Sequence, residues 1–559
     1  MENSQIADTF SLLSKLMDIH GENSFKSKSY SSAAFSIDKL SLPLKDLPIE
    51  KIASIKGIGT SSAQKIIELL QNGKIFFLEE LIEKTPPGVI EMLSIKGIGP
   101  KKIHTIWKEM EIETIGELLY ACKENRLKLY KGFGEKTQQN VIESIEFYLK
   151  NQGSHLYAQI ESIADEIKAI IQEIFKGKRI EATGKFIRQF ETIDELEYII
   201  EISMEELEEK ISSVDFFSLK TKDNDAVLYA TQAGIDIKIY PSSASQFIRQ
   251  SIMLSSSADF QTALFKEFSS DLDRYSSEKD FFEKNQIAYI PPFLRETPEI
   301  IAIAKKNVLP EIIQKNDIKG VIHCHSNWSD GSNTIEEMAQ AAIERGMEYL
   351  VLSDHSKSAF YAQGLYEEKI KAQHQLIDEL NEKLVPFKIF KSIESDILND
   401  GSLDYSDAVL STFDLVIASV HSNLKMSQEK AMARLLRAIE NPYTSILGHM
   451  TGRLLLSRPG YPLDFEKIIE ACAENNVVIE LNAHPNRLDI DWRQIPNVLK
   501  KNVLISINPD AHQTEGIDVL KYGVLTAQKA MVTKNYNLSS FSLKEFENFI
   551  EHQKNTKLR

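Results

Sequence analysis

From residue 318 onward, short apolar runs recur at regular intervals, and each stops at or just before a side chain that can bind a metal. Val321-Ile322 precedes His323, Tyr349-Leu350-Val351-Leu352 precedes His355, and Phe387-Lys388-Ile389-Phe390 approaches Glu394. Leu415 to Val420 ends at His421, Ser445 to Gly448 at His449, Val477 to Leu481 at Asn482, and Val503 to Ile507 leads to Asp510. These runs predict seven strands, and segments such as Thr334 to Arg345, apolar at helical spacing, predict the helices between them. Repeated βα units with polar residues at the strand exits describe an α/β barrel whose mouth is polar.

Composition narrows the setting. A chain of 559 residues has room for three to five domains. Cys122, Cys324 and Cys472 have no paired spacing, which predicts a reducing compartment without disulfides. No apolar stretch approaches the ~18 residues of a membrane span, so a cytoplasmic protein is expected, as a monomer and without a membrane partner. A net charge of −16 excludes broad electrostatic adhesion to nucleic acid. Any DNA contact must be local.

Nine residues form the candidate metal cage: His323, His325, Asp330, His355, Glu394, His421, His449, Asp510 and His512. In His323-Cys324-His325 and Asp510-Ala511-His512 the outer pair is i, i+2, so an extended backbone aims both at one face. A lone His is more often a surface or hydrogen-bonded residue, but six of the twelve His stand at strand exits of one region. Imidazoles with carboxylates suit manganese, zinc or iron, and nine donors suffice for two or three divalent ions.

The stretch His323-Cys324-His325-Ser326-Asn327-Trp328-Ser329-Asp330-Gly331 resembles the opening motif of the PHP (polymerase and histidinol phosphatase) family. Ser353-Asp354-His355, Ile393-Glu394-Ser395, Ser419-Val420-His421-Ser422, Gly448-His449 and Asp510-Ala511-His512 are similar to its later motifs, in order. The resemblance covers 318–559 and implies a distorted (βα)7 barrel with a trinuclear phosphoesterase site. Leu398 to Tyr405, Thr451 to Leu456 and Asn486-Arg487-Leu488-Asp489 resemble the PHP domains fused to bacterial family X DNA polymerases.

The N-terminal third fits that company. Ile55-Lys56-Gly57-Ile58-Gly59-Thr60 and Ile95-Lys96-Gly97-Ile98-Gly99-Pro100 both resemble helix-hairpin-helix turns, and Gly132-Phe133-Gly134 is a weaker third copy. Glycine lets backbone amides at a helix start approach a phosphate, which gives binding without sequence preference; a single such turn could equally be a plain helix cap. Gly57, Gly59, Lys65, Gly97, Gly99 and Lys101 are the expected DNA contacts. The first 75 residues also resemble the lyase domain of family X polymerases, with Lys65 where that family has its Schiff-base lysine; a solvated or phosphate-facing Lys is the plainer reading.

Residues 151–315 resemble the α+β, nucleotidyltransferase-like core of family X polymerases in layout but not in chemistry. Glu195-Leu196-Glu197 stands where the resemblance implies an Asp-x-Asp pair, and Asp236 matches the third carboxylate. The extra methylene of Glu moves its carboxylate by roughly 1 Å, which two-metal transfer tolerates poorly. Lys185, Ile187 and Ser255-Ser256-Ser257 depart from the nucleotide-holding pattern as well, so these carboxylates are expected to be vestigial, without magnesium.

The resemblances therefore imply a multidomain protein: a helical helix-hairpin-helix region over 1–75 and 76–150, a degenerate polymerase-like middle over 151–315 and a C-terminal PHP barrel over 318–559. It would hydrolyse DNA at gaps, nicks or 3′ ends, as a 3′–5′ exonuclease or 3′-phosphatase. Arg453 and Arg487, with Arg458, could grip phosphate, although a salt bridge would suit each equally. Rival readings are an active gap-filling polymerase, a small-molecule phosphatase and a non-catalytic DNA scaffold.

Overall fold

The computed structural model describes residues 1, 3–40, 43–149, 153–268, 272 and 275–557. The chain gathers into two units, Met1–Lys123 with Leu127–Tyr148, and Glu124–Arg126 with Leu149–Arg559.

In the first unit glycine sets three equivalent turns. Gly57, Gly97 and Gly132 have φ of +93°, +94° and +93°, the left-handed region that favours glycine. The residue after each (Ile58, Ile98, Phe133) is buried and anchors the turn to the helical core. A second glycine then opens a helix: Thr60–Asn72, Pro100–Lys108 and Glu135–Leu149. At Gly59, Gly99 and Gly134 a Cβ would meet nothing within 4 Å, so the helix starts are bare backbone. The third turn, read as weaker from its sequence, has the same backbone conformation as the other two.

The second unit begins with a five-stranded sheet of β1 (Ile180–Thr183), β2 (Glu195–Glu201), β3 (Phe217–Lys222), β4 (Val227–Thr231) and β5 (Asp236–Ser242). Its order is β1-β2-β5-β4-β3, with β2 and β5 parallel and the other pairs antiparallel. Period-two alternation along β2 sends Leu196, Tyr198 and Ile200 to the core shared with helix Tyr157–Ile174. Ile199 turns to the opposite core with Phe247 and Phe260.

Seven further strands form the barrel: β6 (Gly320–Cys324), β7 (Tyr349–Leu352), β8 (Lys388–Asp396), β9 (Leu415–Ser419), β10 (Thr444–Leu447), β11 (Val478–Asn482) and β12 (Ile505–Asn508). They are parallel and neighbour one another in chain order. The seam between β6 and β12 is joined by the Cys324–Ala511 bridge and by His325 N–H donating to the Ala511 carbonyl at 2.8 Å. Alternation supplies two cores. Leu350, Leu352, Val416, Ala418, Ile479 and Ile505 pack outward under the helices. Ile322, Tyr349, Val351, Phe390, Ile417 and Ile446 point inward and are closed off by Leu538, Phe546 and Ile550, the last two from helix Leu543–Lys557. Phe546 stacks on Tyr349 with centroids 4.4 Å apart. This plug fills the end where the strands begin, leaving the donors at the end where they finish.

One sequence expectation needs correction. Glu394 lies inside β8 rather than beyond it, on the inward face two pleats after Phe390 and Ser392. His323 likewise lies within β6.

Candidate metal centre

The first motif folds as a bulge. His323 has φ +63°, and the register of β6 against β7 shifts between Ile322 and Cys324. A bulge re-aims one side chain: Ile322 and His323 both face the interior, while Cys324 faces the outer core. Asp510, across the seam, is also left-handed at φ +53°. The outer donors of each i, i+2 pair do converge, but through this irregular backbone rather than plain extended strand.

Around Glu394 the donors close a cage. Its Oε1 lies 3.2 Å from His323 Nε2, 3.1 Å from His421 Nε2 and 3.0 Å from His449 Nε2; its Oε2 lies 3.0 Å from His355 Nδ1 and 3.7 Å from His325 Nε2. Asp510 Oδ1 is 3.2 Å from His325 Nε2, and the Asp330 carboxylate is 3.5 Å from His355 Nε2 and 3.4 Å from His512 Nε2. Two ligands held ~2.1 Å from one ion at a tetrahedral angle stand ~3.4 Å apart, so most of these spacings suit donors sharing an ion. Among the described residues four groups gather within 4.8 Å: His325, Asp330, His355 and His512; His323, His325 and Asp510; His355, Glu394 and His421; and Glu124, Asp510 and His512. His323 Nε2, His325 Nδ1, Asp330 Oδ2, His355 Nδ1, Glu394 Oε2 and His449 Nδ1 are buried without a hydrogen bond. Buried polar atoms rarely stay unsatisfied, and a cage of orphaned nitrogens and carboxylate oxygens fits divalent ions. Glu124, in the short stretch that belongs to this unit, adds a carboxylate 2.7 Å from His512 Nε2.

Electrostatics agree. Burial, with His512 and His355 nearby, pulls His325 down to about 3, leaving it a neutral ligand. Burial also lowers His355, but Asp330 and Glu394 outweigh it and push the ring up to about 10. Burial disfavours ionised Glu394, Asp330 and Asp510, yet the facing imidazoles hold all three well below the usual carboxylate range. Ions entering this cage would therefore displace protons from the imidazoles.

A second ring of groups orients the donors, and sequence reading missed its roles. His323 Nδ1–H donates to Glu480 Oε1 at 2.6 Å, and His421 Nδ1–H to Asp396 Oδ1 at 2.5 Å, so Nε2 of each ring faces the cage. Glu480 also accepts from the His449 amide at 2.6 Å and Asn508 at 2.8 Å. Asp354 receives Ser326, Ser329 and Gln373 and so ties down the turn carrying Asp330. The available signal was Glu480 itself, a lone charge inside Val477-Val478-Ile479-Glu480-Leu481, which burial would not tolerate without partners.

Of the two roles the sequence left open for the arginines, Arg453 has the salt-bridged one: it donates to the carbonyls of Arg487 (2.9 Å) and Leu488 and to Asp491 (2.5 Å). Arg458 donates to the Gly452 carbonyl at 2.8 Å. Arg487 is the one beside the cage, with Nε 3.9 Å from Asp510 Oδ2.

Elsewhere, Lys65 pairs with Glu68 at 2.5 Å, and Lys101 is exposed at the start of its helix. In the five-stranded sheet Glu195 stands opposite Asp236, and alternation puts Glu197 on the same face. Lys220 pairs with Asp236 at 2.7 Å, Lys238 lies 4.0 Å from Glu195, and Tyr240 donates to Glu197 at 2.9 Å. Burial and the neighbouring Glu197 charge raise the Glu195 carboxyl. At Gly184 a Cβ would fall 1.7 Å from Glu197 Oε1, so this glycine turn is occupied by a carboxylate. Ser255 is buried and accepts from Arg295 at 2.8 Å, which also pairs with Glu278.

Comparison with known proteins gives this geometry a context. The chain matches a helix-hairpin-helix domain over residues 1–75, a SAM-like helix-hairpin-helix tandem over 89–146 and a PHP domain over 322–484. Asp510 and His512 follow the last match. Probable phosphatases of Caldanaerobacter subterraneus subsp. tengcongensis and Thermoanaerobacter sp. are similar in part: 29% identical over 29% of this chain and 60% of the relative, and 28% over 39% and 89%. Among the described residues no helix is long and apolar enough to cross a membrane. The DNA polymerase/3′-5′ exonuclease PolX of Bacillus subtilis strain 168 is 30% identical over 99% of this chain and 100% of its own length, and with helix-hairpin-helix turns, a PHP barrel and this whole-length likeness the chain belongs to the PolX family.

Proposed function

We propose that the barrel is a metal-dependent 3′–5′ exonuclease or 3′-phosphatase acting on DNA ends, served by the glycine turns and fused to a middle region that no longer synthesises DNA. The observation that carries it is the convergence of four donor groups on shared residues, His325, His355, Asp510 and His512. His323, His325, Asp330, His355, Glu394, His421, His449, Asp510 and His512 would hold two or three ions of manganese, zinc or iron. Bound there, such ions supply Lewis acidity and neutralise charge building on phosphate oxygens. The chain's own residues do the rest. Glu394 faces His323, His355, His421 and His449 from one strand, Glu480 and Asp396 fix the tautomers of His323 and His421, and Arg487 would grip the phosphate beside Asp510. Gly57, Gly59, Gly97, Gly99 and Lys101 would contact the DNA backbone.

Loss of synthesis is supported by the middle region's chemistry. Its three carboxylates are engaged by Lys220, Lys238 and Tyr240, and Glu197 fills the Gly184 turn that a triphosphate would need. The test is a recessed-end duplex offered with manganese, with and without all four nucleotides, beside elemental analysis of protein purified without chelator. Shortening of the strand and two or more transition-metal ions per chain are expected. Lengthening, or fewer than two ions, would overturn the reading.

A further inference from the structure

The segment Arg188-Gln189-Phe190-Glu191 lies where the five-stranded region meets the barrel, and its groups are committed to that junction. Arg188 pairs with Glu296, which also receives Lys529 of barrel helix Leu520–Lys529 at 3.0 Å. Phe190 meets Trp492 edge-on at 6.5 Å. Glu191 is buried and reaches further, because it faces two arginines of the barrel: Arg493 at 3.2 Å and Arg453 at 3.9 Å. Those two share the Asp491 carboxylate, so without Glu191 two guanidinium groups would have one counter-charge. Arg453 in turn holds the carbonyls of Arg487 and Leu488. The next link is the Arg487 side chain beside Asp510. The Arg493 side chain is half exposed, and exposed ion pairs contribute little; Glu191 and Arg453 are largely buried, and removing one partner of such a pair leaves an uncompensated charge and displaces what it held.

We propose that Glu191 is a positioning residue for hydrolysis in the barrel: through Arg453 and Arg493 it fixes the backbone that presents Arg487 beside Asp510. The proposal rests on the phosphoesterase reading above. It gives the middle region a task that needs no nucleotide, since the stretch from Arg188 to Glu191 serves as a brace.

The test uses the full-length, manganese-loaded chain on a 3′-recessed duplex. Glu191→Gln should raise KM about five- to tenfold with kcat within about twofold, the signature of weakened substrate holding, at unchanged manganese content. Glu191→Asp, which keeps the charge, should recover most of the loss. Arg487→Met should raise KM by itself, and adding Glu191→Gln to it should change KM by less than about twofold, because the two act in one chain. Lys521→Met, which cuts the Lys521–Glu161 pair elsewhere on the same junction, should leave both constants alone. Independent, multiplying effects of Glu191→Gln and Arg487→Met would overturn the proposal. So would a Lys521→Met defect equal to that of Glu191→Gln, or loss of manganese in Glu191→Gln. If the unaltered chain cleaves nothing, the phosphoesterase reading falls first and takes this proposal with it, an outcome visible before any variant is made.

Discussion

Replacing Glu480 by Gln tests the metal cage through a residue that is not among its nine candidate donors. Four donors converge on this carboxylate: His323 Nδ1 (2.6 Å) and Asn508 (2.8 Å) on Oε1, and the His449 amide (2.6 Å) and Asn482 (3.4 Å) on Oε2. A carboxylate accepts at both oxygens, whereas an amide must turn its NH2 toward one pair. If the amide oxygen stays on His323, the NH2 confronts the His449 amide; if it flips, His323 loses its acceptor and the tautomer that points Nε2 at the cage. One buried donor left unsatisfied costs about 1–3 kcal/mol of stability, and a lost outer-shell partner typically costs 10- to 100-fold in metal affinity, about 1.4–2.7 kcal/mol. The assay is competition of the metal-stripped chain with a chromogenic chelator for manganese and zinc, beside urea unfolding without metal. Glu480→Gln with unchanged affinity for both metals would refute the reasoning, whatever its activity.

Three further outcomes are expected. Burial holds Lys529 down to about 8 from 10.5, against the pull of Glu296, so the unfolded chain binds more protons between those values and this group's contribution to stability rises with pH across that window. Below pH 8 the penalty is complete, on the order of 3 kcal/mol; the advantage of Lys529→Met in urea midpoints should therefore shrink from pH 8 to 10.5, and a difference independent of pH would refute this. Gly99→Val meets open space at an ordinary φ, so it should weaken binding to a fluorescent duplex by several-fold with little change in melting temperature; unchanged binding would remove the phosphate-contact role of the turn. In the His323→Ala background, which removes hydrolysis, primer extension across a one-nucleotide gap should be faint or absent; clear extension that Asp236→Ala stops would make Glu195, Glu197 and Asp236 working ligands.

The barrel was legible because parallel strands buried on both faces read as unbroken apolar runs, and because donors cannot hide when they end such runs. Its irregularities were not. The left-handed backbone at His323 and Asp510 is imposed on residues with no glycine-like freedom by closure of the seam, a tertiary cause without a local trace. For Arg453 the sequence left a phosphate grip and a salt bridge equally open, because it shows the charge but not Asp491 and the two carbonyls that Arg453 meets. Glu480 was passed over as part of a strand, although a single carboxylate among Val, Ile and Leu should have prompted a search for its partners. In the middle region the substitutions were visible, but not that the Glu197 side chain reaches back to cover Gly184.

The seam also orders events during synthesis. His325 and Asp510 stand 185 residues apart in the chain yet 3.2 Å apart in space, so the cage exists only once the final strand has docked against the first. A nascent chain gains its three glycine turns before any of the barrel, and the last two of the nine candidate donors, Asp510 and His512, only with the final strand. On the function proposed above, such a chain would bind DNA before it could hydrolyse it, and one truncated ahead of Asp510 would lack two of the nine candidate donors. Conversely, an ion shared across the seam would tie the two ends of the barrel together like a clasp, so that the group needed for cutting also locks the finished domain shut.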